Sequence, residues 1–395
     1  MTGALIKKGS DMWRIRLEWM IAGIALAFAM ILGSSNAAAS APDCPLRDQP
    51  FSVDSPLLDL WLSPAATQIL DDQAPAVFVG ASDMLRNRDV PAFAAIITAR
   101  MVARKKLSAE QVDRLDRSLR ALPVTPSDRR ARCARYDETP LNTRPVRGRP
   151  AVLVFQKIVG FRDGPSVDAA EQALRAMAKR RGWSIVVTDR GGAMTAATLS
   201  RFDTVIWNNV SGDVLTIRQR AAFRTYIENG GGFVGIHGAG GDLAYFWDWY
   251  ADELIGTRFR GHPTQPSFQT ARIDVADPDA AITQGLGSGW TMNDEWYSFV
   301  TNPRETKSTI LLTLDEQTYS PKGGGEDISM GDHPIAWTRC VRDGRAFFSA
   351  MGHRPETYAD PSHNRLLEQG ILWSIGRSGR GCRAGQAIDM FRDHR

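Results

Sequence analysis

Five of the six histidines in this 395-residue chain fall between positions 237 and 363: His237, His262, His333, His353 and His363. Imidazole changes charge near neutral pH, so it serves as base, acid or metal ligand. Asp242, Asp294, Glu295, Asp332 and Glu356 lie among them. Such a set suits two kinds of chemistry: a mixed N/O shell around one divalent metal ion, or a metal-free acid–base site with carboxylates orienting the rings. His237 stands out by its position. It ends the apolar run 233–236 and is followed at once by Gly238-Ala239-Gly240-Gly241, so a buried strand runs into a sharp turn on a titratable residue. α/β hydrolytic enzymes place a nucleophile at such a corner. An imidazole there fits a base, an acid or a ligand better than an acyl-transfer nucleophile. His262, His333 and His353 sit in Gly-His-Pro, Gly-Asp-His-Pro and Met-Gly-His contexts, which read as loops.

The elements that must position these residues begin at Ala151. The run 151–155 is continuously apolar, 169–181 reads as a helix, and 184–188 and 204–207 read as further buried strands. Thr216 with Gln219 opens another helix, which Gly230 closes. Strand and helix alternating at this spacing predict βαβ units and a doubly wound, mostly parallel α/β sheet. His237 then lies at the carboxyl edge of a strand, where open sheets bind ligands. Beyond it the sequence predicts a Trp/Tyr-rich helix over 243–254, strands at 272–275, 309–314, 335–340 and 345–350, and a final helix over 364–375. Residues 40–145 read as a small helical domain and linker. Ser108 with Gln111 forms a capping box there, Val112, Leu115, Leu119 and Leu122 share one face, 92–102 is helix-like, and Pro123, Pro126, Pro140, Pro145 and Pro150 mark the linker. The remaining divisions are 146–380 for the α/β domain and 381–395 for a C-terminal tail.

Lys7, Lys8, Arg14 and Arg16 precede an apolar run over 19–32, and Ala37-Ala38-Ala39 follows it, so residues 1–39 read as a secretory signal peptide. The run is short for a membrane span. A periplasmic or secreted location follows, with the membrane met only through the signal peptide. The chain's 48 basic and 44 acidic residues leave it near neutral, which argues against a nucleic-acid partner. Its four cysteines, in an oxidising compartment, favour two disulfides. Of three connectivities, Cys44–Cys133 and Cys340–Cys382 is expected, because each pair ties one edge of a module.

Segments spread over more than 200 residues carry a family resemblance. They include 154–162, 212–215, the corner 230–240, Phe259-Arg260-Gly261-His262-Pro263, Asp294-Glu295-Trp296-Tyr297, 312–316, 330–337 and Gly352-His353. In these the chain resembles the ThuA-like (trehalose utilisation) domain family. The resemblance implies a fold like the class I glutamine amidotransferases, with a flavodoxin-like sheet. In that superfamily the corner holds a nucleophilic cysteine, and a His and a Glu come later. Here His237 holds the corner and Gly352-His353-Arg354-Pro355-Glu356 is similar to the later segment with one residue inserted. Cysteine-dependent amidotransferase chemistry is excluded at this corner. A second departure is Asp163, which stands where the family pattern Gly-Phe-Arg-His has its histidine. The family's name implies a sugar ligand, and a 3-keto glycoside made by a partner oxidoreductase is one form of it.

Aromatics crowd the same region, and their faces stack on sugar rings while polar groups bond hydroxyls. The expected function is therefore a carbohydrate-active protein that cleaves or isomerises an oxidised (3-keto) sugar or glycoside. His237, His353, Glu295 and Asp294 are the candidate catalytic residues, and His237 and His353 the candidate ligands of one divalent metal ion. Arg162, Trp207, Asn208, Asp242, His262, Trp296, Asp332 and His333 are the candidate substrate-binding residues, with Arg162 placed to hold an anionic group or a developing oxyanion. Two other readings are a non-catalytic sugar-binding module using the same pocket, and an interaction protein acting through the basic helical segment.

Overall fold

The computed structural model describes residues 43–376, 379 and 381–382. The signal peptide expected over 1–39, and all of the expected tail beyond Cys382, lie outside the described residues. Thirteen strands were numbered in chain order: β1 (Ala151–Phe155), β2 (Ser184–Thr188), β3 (Thr204–Asn208), β4 (Gly232–Ile236), β5 (Phe259–Gly261), β6 (Phe268–Val275), β7 (Gly289–Glu295), β8 (Ser298–Phe299), β9 (Thr309–Asp315), β10 (Lys322–Gly323), β11 (Glu326–Asp327), β12 (Pro334–Val341) and β13 (Gly344–Ser349). Nine form one sheet in the order β2-β1-β3-β4-β13-β12-β9-β6-β7. The first five are parallel, as the βαβ rhythm requires. The last four pair antiparallel; a two-residue turn joins β12 to β13, and the longer connections among the others carry no α-helix.

β1, β3 and β4 are buried along their whole length, which explains their unbroken apolar runs. The helices Gly164–Arg181 and Pro361–Ser374 pack against the parallel strands. Both expected capping boxes form, at Ser108/Gln111 and Thr216/Gln219. A third, Thr125/Asp128 with Pro126 as the first helical residue, opens the helix Pro126–Cys133 inside the stretch read as linker. Proline there starts a helix instead of breaking one, since the first turn needs no donor. The helix expected over 243–254 is confined to the wide π-type turn Trp249–Ile255. Strand β7 had not been expected; its end buries two adjacent carboxylates, Asp294 and Glu295, and this hid it.

A flat sheet would hold β13 and β7, four strands apart, at roughly 19 Å. The register of β12 on β9 slips twice between Pro334 and Trp337, a bulge that bends the sheet. The antiparallel half thereby curls back, and the end of β7 meets the loop after β13: Gly352 N donates to Asp294 Oδ2 at 2.6 Å.

The helical segment shares its core with the sheet, Phe51, Trp61 and Phe78 belonging to the same hydrophobic cluster as Phe155, Phe233 and Phe347. Disulfides join Cys44 to Cys133 and Cys340 to Cys382, with Cα–Cα distances of 5.5 and 5.4 Å. Two disulfides fit an oxidising compartment, and among the described residues no helix is long and apolar enough to cross a membrane. Asp59, Arg132 and Arg135 form a buried charge group. Arg132 Nη1 also donates to the Gln49 carbonyl at 2.6 Å, and its guanidinium lies 4.1 Å from the Phe51 ring centre. Asp59→Ala leaves two buried guanidiniums without their carboxylate. It should cost about 3–5 kcal/mol, measured as a lowered midpoint in urea unfolding; an unchanged midpoint contradicts this account of the segment.

Candidate functional site

The corner residue His237 carries a left-handed backbone, φ +42°, which costs a non-glycine residue about 1–3 kcal/mol. Its neighbours force this. The glycines before and after it lie against Phe348: a Cβ on Gly235 would come within 2.9 Å of that ring and one on Gly240 within 2.4 Å. The chain thus passes close over the sheet and leaves β4 with its imidazole buried. His237 Nδ1 donates to the Ala350 carbonyl at 2.7 Å, since a carbonyl can only accept. That fixes the proton on Nδ1 and leaves Nε2 as a lone pair.

Three more groups converge on this nitrogen. His353 Nδ1 lies 3.1 Å from it, Glu295 Oε2 3.5 Å and Tyr297 Oη 2.8 Å. His353 Nδ1 and Glu295 Oε2 are themselves 3.0 Å apart. His262 Nδ1 is 3.2 Å from the other Glu295 oxygen and donates to its neighbour's carbonyl at 2.7 Å. Burial opposes the charge of Glu295, but the imidazoles of His237 and His353 beside it outweigh it and hold its carboxyl far below the usual range. Burial likewise pulls His353 down, while the Glu295 hydrogen bond and charge win and raise it. Burial pushes the Tyr297 hydroxyl well up, so it stays a proton donor.

His353 is held from below by Asp294, whose carboxylate accepts the backbone N–H groups of Gly352, His353 and Arg354 at 2.6, 3.1 and 3.1 Å. Asp294 therefore positions the histidine and does not face the cluster. On the other side, Asp163 Oδ2 stands 3.7 Å from His353 Nε2. The residue that departs from the family pattern still supplies a polar partner to the site. Glu356 pairs with Arg354 at the surface, so the carboxylate partner of His353 comes from β7.

The remaining expected residues divide. His262 belongs to the cluster. Trp207 does not: its ring stacks on Tyr250 at 4.6 Å and Phe223 at 5.3 Å within the core. Trp296 is fully buried, its indole donating to the Gln269 carbonyl. Asn208 is a buried tie that donates to the Val167 carbonyl and to Gln156. Asp242 accepts from Ser211 and Gly212 N, and burial pushes its carboxyl up to about 7. Asp332 pairs with Arg304 at the surface. Arg162 is exposed. His333 is fully buried and reaches the Tyr297 carbonyl at 2.8 Å, so it supports the tyrosine from behind.

Side chains outside the candidate site residues complete the site. Tyr297 caps His237, and the exposed rings of Phe161 and Phe268 flank His353 with centroids 6.0 and 5.1 Å away. Glu295, Tyr297, His262 and His353 lie along one cavity of about 880 Å³. Its other wall comes from the helical segment, through Met84, Phe93, Ile97 and Met101.

Such a fold defines an α/β protein with a mixed nine-stranded sheet and a buried histidine at the carboxyl end of a parallel strand. The chain belongs to the ThuA family, whose sequence pattern, described as trehalose utilisation, matches residues 151–374. It is similar to the crystal structure of a ThuA-like protein from Bacteroides uniformis ATCC 8492, with 26% identity, TM-score 0.50, and 60% of this chain and 94% of the other covered. A ThuA-like protein from Parabacteroides merdae ATCC 43184 follows at 17% identity and TM-score 0.44, with 57% and 90% covered. No curated protein sequence matches the chain.

The support behind Tyr297 gives a pH test. Burial works against the charge of Glu316, but hydrogen bonds from His333 and from the N–H groups of Met330 and Gly331 outweigh it and lower its carboxyl. A depressed carboxylate adds stability that is complete above its unfolded value, about 4.3, and is lost as pH falls through the folded one. Thermal midpoints should therefore drop below about pH 4.3, and Glu316→Gln should flatten that drop while lowering the midpoint at neutral pH. Equal pH profiles for the two proteins would contradict the assignment.

Proposed function

We propose that this chain is an enzyme that cleaves or isomerises an oxidised (3-keto) sugar or glycoside in the periplasm or outside the cell, with one divalent cation held by His237 Nε2, His353 Nδ1 and Glu295. The observation that carries the reading is the spacing of those three donors. Separations of 3.0, 3.1 and 3.5 Å leave a point just outside their plane that is about 2 Å from each, the length of metal–nitrogen and metal–oxygen bonds. Two histidines and one carboxylate on one face leave the opposite positions open. The outer partners fit as well: a carbonyl on the far nitrogen of His237 and a carboxylate near the far nitrogen of His353 are what ligating imidazoles need to hold their orientation. The family's description supports a sugar, and the flanking rings of Phe161 and Phe268 suit one.

Such a cation, when bound, polarises a carbonyl oxygen and so acidifies the neighbouring C–H. Tyr297, protonated by its burial, donates to the oxygen that gains charge. His262 takes the proton through Nε2, since its Nδ1–H is held by the Pro263 carbonyl. The electron pair of the broken C–H bond moves onto the ketone oxygen. Two outcomes follow. The pair expels the glycosidic oxygen from the next carbon, which leaves with the proton. Or the neighbouring hydroxyl gives its proton to the former ketone oxygen and becomes the new carbonyl, while the former ketone carbon takes the proton held by His262, which isomerises the sugar.

Purified protein should bind one Zn²⁺, Mn²⁺ or Co²⁺ per chain, read by elemental analysis, and should consume 3-keto-trehalose or a 3-keto glucoside. Chelation, His237→Ala and Glu295→Gln should each lower turnover by about 100-fold or more. Sugar binding that persists without turnover in every preparation supports a binding module instead, and metal-independent turnover restricts the cluster to acid–base work.

A further inference from the structure

We infer that the natural ligand is amphiphilic, a sugar head bonded to an apolar aglycone, and that residues 84–105 form the seat for the aglycone. The inference rests on the reading of the His/Glu cluster as the reaction centre. It starts from the uneven lining of the cavity. Glu295, Tyr297, His262 and His353 are gathered at the cluster, whereas the helical segment contributes Met84, Phe93, Ile97 and Met101, faced by Val300. A sugar ring carries a hydroxyl on nearly every carbon, and each one loses a hydrogen bond when it is buried against a wall with no donor or acceptor. The cluster can receive such a ring; this wall cannot.

The wall is also more exposed than a protein surface built only to fold would leave it. Met84 is 54% exposed, Val300 65% and Phe161, between wall and cluster, 46%. Neighbouring large apolar groups in solvent mark a binding surface. The wall is fixed in place as well. Ile97 O accepts from Leu57 N at 2.8 Å and Ile96 O from Ala244 N at 2.9 Å, while Ala92 N donates to Val159 O at 2.9 Å, so its backbone is tied to the helical segment and to the α/β domain. A preformed apolar wall binds without the cost of ordering it. A cavity of about 880 Å³ is large for a monosaccharide ring and lies in the upper range for small-molecule sites. Arg104, Lys105 and Arg260 on its lining are exposed, and the Lys105–Glu326 pair at 3.8 Å is a weak, solvated contact, so charge does not close it to a neutral tail. Residues 84–105 lie outside the stretch that matches the family, so this chain carries its own wall on a shared centre.

The test compares the 3-keto derivatives of methyl and octyl β-glucopyranoside on the metal-loaded protein, with KM and kcat from released alcohol and binding by calorimetry. The octyl compound should show a KM at least about tenfold lower at similar kcat. Met101→Gln and Val300→Ser should each raise the octyl KM several-fold and leave the methyl KM unchanged. Val300 sits on the α/β side and is exposed, so its variant remains informative even where changes in the helical segment unfold it. Equal KM values for the two compounds overturn the amphiphile while the reaction centre stands, and leave the wall to a protein segment. Octyl-selective binding without turnover keeps the amphiphile and overturns the catalytic reading. Binding of neither compound overturns both.

Discussion

Everything functional in this molecule hangs on one carboxylate. Asp294 is the next-to-last residue of the edge strand β7, and by accepting three consecutive amide N–H groups it fastens that strand to the loop after β13, four strands away. The sheet must curl for this bond set to exist, and only the curled sheet brings Glu295 and Tyr297 over the histidines of the parallel half. A carboxylate bound by three backbone donors is nearly as well satisfied as in water. The closure is therefore cheap in desolvation and specific in geometry. Neighbouring residues on one strand divide the labour: Asp294 closes the structure, Glu295 charges the site, and Tyr297 two places on supplies a hydroxyl.

What the closure creates is a small volume crowded with polar groups. His237 places its Nδ1 proton on the Ala350 carbonyl, and its other nitrogen meets a histidine, a carboxylate and a phenol. Tyr297 and His353 supply hydrogen-bond partners to this group, and one ligand atom each of His237, Glu295 and His353 lies within 4.8 Å of the others.

The sequence made the parallel half and its corner plain, since unbroken apolar strands, capping boxes and a glycine-flanked histidine are local signals. His237, His353 and His262 could be named because small residues and prolines around them advertise loops. Glu295 was within reach as their acidic neighbour. Asp163, Phe161 and Phe268 were not: the first two reach His353 from the loop after β1, which only the strand order brings near, and Phe268 reaches it from β6, beyond the bend in β12 and β9. Trp207 and Trp296 misled for the opposite reason. Aromatic residues at strand ends suit a pocket, but whether such a ring turns into the core is set by partners far away in sequence, here Tyr250 and Phe223 for Trp207. Strand β7 was hidden because its end buries two adjacent carboxylates, Asp294 and Glu295, where a strand pattern expects apolar residues, and with it went the clamp.

The left-handed backbone at His237 has a consequence for how such a protein can change over time. Glycine occupies that conformation freely, so exchanging the histidine for glycine would relieve about 1 kcal/mol or more of backbone strain while emptying a buried site and leaving the Ala350 carbonyl and the Tyr297 hydroxyl without their partner. Native proteins hold only about 5–15 kcal/mol in reserve. Strain in the backbone and the bonds of the buried imidazole are therefore set against each other at this corner, and an exchange that relieves the first gives up the second.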